Sequence, residues 1–197
     1  MRDKIPYINI HTHQKCENEL SIVTKGVHPY DAQSGICLTK KSIGQDVDAI
    51  GEIGLDFSRS IDKLQQEKLF RQQLSLAQEL NLAVVIHSVR SLDRTLQILR
   101  DYTLKAVIFH GFIGSKQQAR VALQRGYFLS FGHRSFVSPK TLEVLRSAPL
   151  SNIFFETDQC DISIEEIYSK GAQYRDESLE EIKERLNTNY INIFRRQ

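Results

Sequence analysis

Residues 83–110, AVVIHSVRSLDRTLQILRDYTLKAVIFH, contain two short apolar runs that each end in histidine, with an amphipathic stretch between them. The runs at 82–86 and 106–109 read as strands, and the spacing of apolar residues over 92–99 is that of a helix. A strand that is followed by a helix and a second strand favours parallel pairing through a right-handed crossover. This stretch therefore predicts one strand–helix–strand unit.

The same alternation extends in both directions along the chain. Further strands are predicted at 5–10, 20–27, 49–55, 127–131 and 153–155, and further helices at 64–80, 117–123 and beyond residue 158. In the clearest helix, 64–80, Phe70, Leu74 and Ala77 lie on one face. Strands that alternate with helices predict an α/β fold with parallel strands, as an open doubly wound sheet or as a β/α barrel.

The length of the chain limits the barrel alternative. A full eight-unit barrel takes about 250 residues, whereas this chain has 197. Only fourteen residues separate His13 from His28, too few for a strand, a helix and a further strand. A barrel would therefore be a trimmed or incomplete TIM-type β/α barrel of about seven parallel strands.

Composition indicates one domain over residues 1–197, because 41% hydrophobic residues can build a sizeable core. A net charge of +2, from 26 basic and 24 acidic residues, neither supports nor excludes DNA as a substrate, and oligomeric state is left open. The sequence shows no signal peptide and no apolar run long enough to span a membrane. Three widely spaced cysteines, Cys16, Cys37 and Cys160, read as free thiols, so we expect a cytoplasmic location.

Four of the six histidines follow apolar runs. His11 and His13 stand two residues apart, so in a strand both point to one side, and His87 and His110 each end a strand of the opening stretch. The carboxyl ends of parallel strands open on one face of a sheet. These imidazoles are therefore expected to converge on one site.

Two carboxylates occupy comparable positions. Glu52 lies inside an apolar, glycine-flanked strand, where an unpaired charge would be costly to bury, and Asp158 follows the run at 153–155. Taken singly, each residue has an ordinary explanation: a chance H-x-H, a hydrogen-bonded structural histidine or a buried ion pair. Four histidines and two carboxylates, all at strand ends, are not expected as independent accidents.

Imidazole and carboxylate together suit zinc, manganese or iron, and carboxylate with few nitrogens suits magnesium. Six ligands exceed what one tetrahedral ion needs. We therefore expect two divalent ions, zinc, magnesium or manganese, that share a bridging carboxylate. The predicted ligands are His11, His13, Glu52, His87, His110 and Asp158.

With these residues in view, the chain resembles the TatD-type deoxyribonucleases of the amidohydrolase superfamily, which are trimmed β/α barrels. The matching motifs run in order along most of the chain: His11-Thr12-His13, Gly26-Val27-His28-Pro29, Gly51-Glu52-Ile53-Gly54-Leu55-Asp56, Ile86-His87, His110-Gly111-Phe112-Ile113-Gly114 and Glu156-Thr157-Asp158.

The resemblance implies one ion held by His11, His13, Glu52 and Asp158, and a second held by Glu52, His87 and His110. It implies that Glu52 bridges the ions and that Asp158 orients or deprotonates the attacking water. The implied reaction is phosphodiester hydrolysis of DNA, often from an end, with His28 near the scissile phosphate. Arg90 is a candidate for gripping a neighbouring phosphate.

Some positions depart from the family pattern. Asn9 stands where an Asp is usual, Tyr30 replaces a second His, and Arg90 lies one residue later than the usual Arg. Two alternatives to the nuclease stay open: a metal-dependent hydrolase of an amide, ester or lactone, and a non-catalytic, partner-binding relative.

Overall fold

The computed structural model describes residues 5–14 and 16–195. In chain order the strands are β1 (Tyr7–Ile8), β2 (Glu19–Leu20), β3 (Ala49–Asp56), β4 (Ala83–Val89), β5 (Val107–Phe109), β6 (Phe128–Phe131) and β7 (Ile153–Phe155). The α-helices are α1 (Lys63–Leu80), α2 (Leu92–Leu99), α3 (Lys116–Gln124), α4 (His133–Phe136), α5 (Pro139–Ser147), α6 (Ile164–Arg175) and α7 (Leu179–Phe194), and short 3-10 turns cover Pro29–Asp31, Lys40–Ser42 and Leu150–Asn152.

The chain divides into two compact units. The first takes in the described residues up to Ile22 together with those from His110 onward, and the second is Val23–Phe109. Parallel strands alternate with helices, which confirms the predicted α/β class. The extent of a single domain over residues 1–197 stays a prediction.

In the second unit, β3, β4 and β5 are neighbours in that order and run parallel. Helix α1 begins where the Asp62 side chain accepts a hydrogen bond from the Gln65 amide, and ends at Asn81, whose φ of 52° is left-handed. Its predicted apolar face is confirmed, since Phe70, Leu74 and Ala77 are fully buried. Burial of this face is the main source of stability for the helix.

The first unit contains two parallel strand pairs, β1 with β2 and β6 with β7. Residues just beyond β1 continue alongside β7, because the Ile10 amide donates to the Phe155 carbonyl. Helix α6 is anchored to β1 through Tyr168, whose hydroxyl accepts from the Ile8 amide at 3.1 Å and donates to the Ile8 carbonyl at 3.0 Å. The two predicted histidine positions beyond β1 are thereby fixed against β7.

The predicted strand at 20–27 is wrong over most of its length. Strand β2 covers only Glu19–Leu20, and later residues pair in the second unit, where Thr24 forms a parallel bridge with Ala49. The described residues between His13 and His28 contain no helix, as the short spacing predicted.

Candidate metal centre

The H-x-H pair lies in the first unit, on backbone that runs parallel to the segment after β7. The His13 amide donates to the Asp158 carbonyl at 3.1 Å, and the Asp158 amide donates to the His11 carbonyl at 3.0 Å. Thr12 points the other way and accepts a hydrogen bond from the Thr157 hydroxyl. The alternation of a strand therefore leaves both imidazoles on one side.

Asp158 completes this first cluster. Its Oδ1 atom lies 3.6 Å from Nε2 of His11 and 3.5 Å from Nε2 of His13. The three residues offer ligand atoms within 4.8 Å of one another. His11 is 6% exposed, whereas His13 is 44% and Asp158 36% exposed, so the cluster has one buried wall and one side open to solvent.

Asn9 forms hydrogen bonds next to this cluster. It is fully buried, its Oδ1 accepts from the Thr157 amide at 3.0 Å, and its Nδ2 donates to Thr157 Oγ1 at 2.9 Å and to Glu19 Oε2 at 3.0 Å. The amide thus joins β1 to the segment after β7 and neutralises no charge. At the position where the family resemblance leads one to expect Asp, Asn9 supplies a hydrogen-bond donor to Glu19.

His110 lies beside the first cluster, with its ring centroid 4.7 Å from that of His11. Behind it, Glu156 is fully buried, and its Oε1 accepts from the Gly111 amide at 2.6 Å and lies 3.6 Å from Nδ1 of His110. Glu156 was not among the residues predicted for the site, although it directly follows the apolar run of β7 as the predicted histidines follow theirs.

Glu52 lies in the second unit, where β3 is irregular. The register of β3 with β4 shifts between Ile50 and Ile53, so Glu52 leaves the regular ladder. Its Oε2 atom lies 3.6 Å from Nδ1 of His87 and 3.9 Å from Nε2 of His28. Glu52, His87 and His28 form the second cluster, also with ligand atoms within 4.8 Å.

Two glycines allow this arrangement. A Cβ at Gly26 would lie 2.6 Å from the carbonyl carbon of Gly51, so only glycine lets these backbones meet and bring His28 beside Glu52. Gly54 has a φ of 143°, and a Cβ there would collide with the His87 carbonyl oxygen. Close backbone contact, rather than side-chain packing, therefore sets the position of the second cluster.

Asp56 holds the far side of the His87 ring. Its Oδ2 atom lies 3.3 Å from Nε2 of His87 and accepts a hydrogen bond from the Tyr30 hydroxyl at 3.0 Å. Burial alone raises the pKa of Asp56, but hydrogen bonds from Ser58, His87 and Tyr30 outweigh it and hold that pKa below its usual value. An ionised carboxylate can only accept, so Nε2 of His87 carries the proton and Nδ1 presents its lone pair toward Glu52.

His28 has the same tautomer as His87 but turns its other nitrogen toward Glu52. Its Nδ1 atom accepts a hydrogen bond from the Tyr30 amide at 3.2 Å, so in the neutral ring Nε2 carries the proton. That N–H points toward Glu52, which makes His28 a hydrogen-bond donor at the second cluster. This is the chemistry expected of a phosphate contact and not of a metal ligand.

Arg90 lies beyond the end of β4, exposed and with a left-handed φ of 52°. Among residues 5–14 and 16–195, no hydrogen bond or ion pair joins it to Glu52 or His87. The structure therefore brings six of the predicted site residues into two clusters, places His110 beside the first, and leaves Arg90 apart.

The donor set fits divalent metal ions. The first cluster offers two imidazole nitrogens and a carboxylate, and the second offers Nδ1 of His87 and the Glu52 carboxylate, the mixture that zinc or manganese prefers. Buried Glu156 also has an Oε2 atom for which the described part of the chain supplies no hydrogen-bond partner. A buried carboxylate oxygen in that state is stabilised by a nearby cation.

Comparison with known proteins matches the whole described region. A family model described as TatD related DNase matches residues 7–195. The chain is 33% identical to the putative deoxyribonuclease TATDN1 homolog of Encephalitozoon cuniculi, over 78% of this chain and 56% of that protein. It is also 33% identical to the 3'-5' ssDNA/RNA exonuclease TatD of Cronobacter turicensis, over 78% of this chain and 63% of that protein.

A solved structure agrees with these sequence matches. The crystal structure of YJJV, a TatD homolog from Escherichia coli, superposes with a TM-score of 0.78 at 26% identity, covering 93% of this chain and 79% of that one. This likeness confirms the predicted barrel-type α/β fold. The chain spans less than two-thirds of the length of the curated relatives named above. No helix in the described ranges is long and apolar enough to cross a bilayer.

Proposed function

Because the chain belongs to the TatD related DNase family, we propose that it is a divalent-metal-dependent hydrolase that cleaves phosphodiester bonds of DNA from a strand end. The observation that carries the proposal is the pair of clusters, one beyond β1 and β7 and the other within β3 and β4, in which imidazoles and carboxylates lie within 4.8 Å of one another. The relative named as a 3'-5' ssDNA/RNA exonuclease supports a nucleic-acid substrate.

We assign one ion to the cluster of His11, His13 and Asp158, and a second ion to Glu52 and His87. When bound, divalent ions supply positive charge for phosphoryl oxygens and a water of lowered pKa. The bridging role expected of Glu52 and the ligand role expected of His110 stay predictions.

Asp158 is suited to manage the attacking water. It lies on the open side of the first cluster, where solvent reaches its carboxylate, while His11 forms the buried wall. A carboxylate in this place can orient a water molecule and accept its proton. We propose this role for Asp158.

His28 is suited to hold the substrate. Its Nε2–H group faces the second cluster and is fixed by the hydrogen bond from the Tyr30 amide to Nδ1. A preorganised N–H can donate to a non-bridging oxygen of the scissile phosphate as negative charge develops. His28 would therefore bind the phosphate without binding an ion.

Hydrolysis of an end-labelled single-stranded DNA oligonucleotide with added Mg²⁺, Mn²⁺ or Zn²⁺ tests the proposal. Glu52→Ala should lower kcat/KM at least about 1,000-fold, since several kcal/mol of charge stabilisation would be lost at about 1.4 kcal/mol per tenfold. Glu79→Ala, which removes an exposed partner of Lys40, is the control and should retain activity.

Two results would replace the proposal with an alternative. Metal-dependent hydrolysis of a carboxylic ester or amide, with no DNA cleavage, would indicate a carbonyl substrate. Failure to bind any divalent ion, measured by elemental analysis and calorimetry, would indicate a non-catalytic relative.

A further inference from the structure

Tyr30 forms a rigid, exposed surface beside the second cluster. Its ring centroid lies 4.2 Å from that of His28 and 5.9 Å from that of His87. Its hydroxyl is tied to Asp56 at 3.0 Å, yet the residue stays 43% exposed. The ring is therefore fixed at its polar end and open to solvent on the rim of the proposed site.

Arg59 extends over this ring. Its Cζ atom lies 5.0 Å from the Tyr30 ring centroid, a distance typical of a cation–π contact. Arg59 and His28 thus both contact the ring of Tyr30. Arg59 is exposed and projects from the loop after β3.

Arg59 forms no carboxylate ion pair of the kind that three other arginines of the molecule form. Arg71, Arg94 and Arg175 each lie within 2.9 Å of a carboxylate oxygen. In the described ranges no ion pair is formed by Arg59; its guanidinium lies over the Tyr30 ring, and its pKa is raised by a hydrogen bond with the Tyr30 side chain and by the more distant charge of Asp56. An exposed guanidinium that Tyr30 orients, with no ion pair of its own, is well suited to pair with a phosphate.

We propose that Arg59, positioned by Tyr30, binds the backbone phosphate next to the scissile phosphodiester in a single-stranded polynucleotide. This inference rests on the proposed function and goes beyond it by naming a second phosphate subsite. Guanidinium offers a planar fork of donors that matches phosphate oxygens, and it stays charged at any physiological pH. Tyr30 is a positioning residue, because it acts through Arg59.

The identity of residue 30 favours the contact with Arg59. Tyr30 occupies the place where the family resemblance leads one to expect His, and a tyrosine offers a larger apolar ring for a guanidinium. The Arg90 contact predicted from sequence is a competing candidate for the same phosphate. Within the described part of the chain, no comparable contact orients Arg90 toward the second cluster.

Salt dependence of binding gives a readout that a structural role would not change. Each phosphate contact to a single strand contributes a slope of about 0.7 to the plot of log Kd against log salt concentration. Binding is measured by fluorescence anisotropy, with Mn²⁺-loaded protein and a labelled phosphorothioate oligonucleotide that resists cleavage. Arg59→Ala should weaken binding about tenfold at low salt and reduce the slope by about 0.7.

Control variants distinguish a specific phosphate contact at Arg59 from the general effect of positive charge on oligonucleotide binding. Arg100→Ala removes an exposed arginine after α2 and should leave the slope unchanged. Tyr30→Leu removes both the ring and the hydroxyl that position Arg59, and it should lose the Arg59-dependent slope.

The inference is overturned if the Arg59→Ala and Arg100→Ala variants have the same slope of log Kd against log salt concentration. It is also overturned if the unchanged protein does not bind the oligonucleotide. The binding assay involves no cleavage, so it tests the proposed phosphate contact of Arg59 independently of the proposed function. Absence of hydrolysis of any phosphodiester would defeat the proposed function, while the loss of slope in Arg59→Ala would still establish the subsite.

Discussion

Nε2 of His87 lies 3.3 Å from Oδ2 of Asp56, a carboxylate that is only 1% exposed. Because Asp56 also accepts a hydrogen bond from the Tyr30 hydroxyl, its position does not depend on His87 alone. The contact selects the His87 tautomer and turns Nδ1 toward Glu52. Carboxylates in such outer positions commonly orient metal-binding histidines.

Replacing Asp56 should therefore weaken metal binding although Asp56 is not itself assigned as a ligand. Asp56→Asn is expected to lower the affinity for Zn²⁺ or Mn²⁺ about 10- to 100-fold, because the amide no longer selects one tautomer of His87. Isothermal titration calorimetry on the purified protein measures this change.

The control for Asp56→Asn is Asp101→Asn, which removes a surface partner of Arg71. It should leave metal affinity unchanged. Equal affinities for the two variants, with native circular dichroism spectra, would contradict the positioning role of Asp56.

Gly54 should be intolerant of any side chain. Gly54→Ala combines a φ of 143° with a collision between Cβ and the His87 carbonyl oxygen, so it should lower the free energy of unfolding by at least about 3 kcal/mol. Urea unfolding followed by circular dichroism measures the loss.

Gly35 provides the comparison, since its φ is 75° and a Cβ there would have nothing within 4 Å. Gly35→Ala should cost only the backbone strain, about 1 kcal/mol. A loss for Gly54→Ala no greater than that for Gly35→Ala would show that β3 and β4 can separate without cost.

The strand-end histidines could be predicted because each directly follows an apolar run, as His87 and His110 do. The supporting carboxylates could be located in part, since Glu156 also follows an apolar run, but their contacts could not be predicted. Asp56 is 31 residues from His87 in sequence, and its contact depends on the register of β3 with β4, which shifts at an irregularity. The role of Glu156 depends likewise on the backbone turn at Gly111.

Strand β2 shows a second limit of sequence patterns. The apolar run at 20–27 resembles a strand, but only Glu19–Leu20 pair with β1. A strand extends only where a partner presents free backbone groups in register. Hydrophobic periodicity shows that a segment is apolar, but it does not show whether a neighbouring strand has free backbone groups to pair with it.

Asn9 illustrates a local adaptation that can be reversed experimentally. Asn9→Asp restores the residue usual in the family pattern, but it removes the donor to Glu19 Oε2 and places a second carboxylate about 3 Å away. We expect the free energy of unfolding to fall by about 2 kcal/mol at neutral pH, measured by urea unfolding.

A matched substitution tests whether charge alone is responsible. Asn18→Asp adds the same negative charge at an exposed position next to Glu19 in sequence, and should change stability by less than about 0.5 kcal/mol. If the Asn9→Asp and Asn18→Asp variants have the same free energy of unfolding, the hydrogen bonds of the buried Asn9 amide do not contribute to stability.

Tyr168 links α6 to β1 and should make stability fall at high pH. Burial raises the pKa of this phenol well above its ordinary value of 10.0. Above that pH the tyrosine of the unfolded chain loses its proton while the buried one keeps it, so the unfolded state gains stability. The free energy of unfolding should therefore decrease by up to about 1.4 kcal/mol per pH unit from this residue alone.

Tyr168→Phe separates the two contributions of the hydroxyl. At neutral pH the variant should be about 1 to 3 kcal/mol less stable, because the Ile8 amide and carbonyl both lose their buried partner. Above pH 10 its stability should decline less steeply than that of the unchanged protein, so the two urea-unfolding curves converge. Parallel declines between pH 9 and 11 would show that Tyr168 ionises at the same pH in both states, and that its hydroxyl is open to solvent despite its contacts with β1.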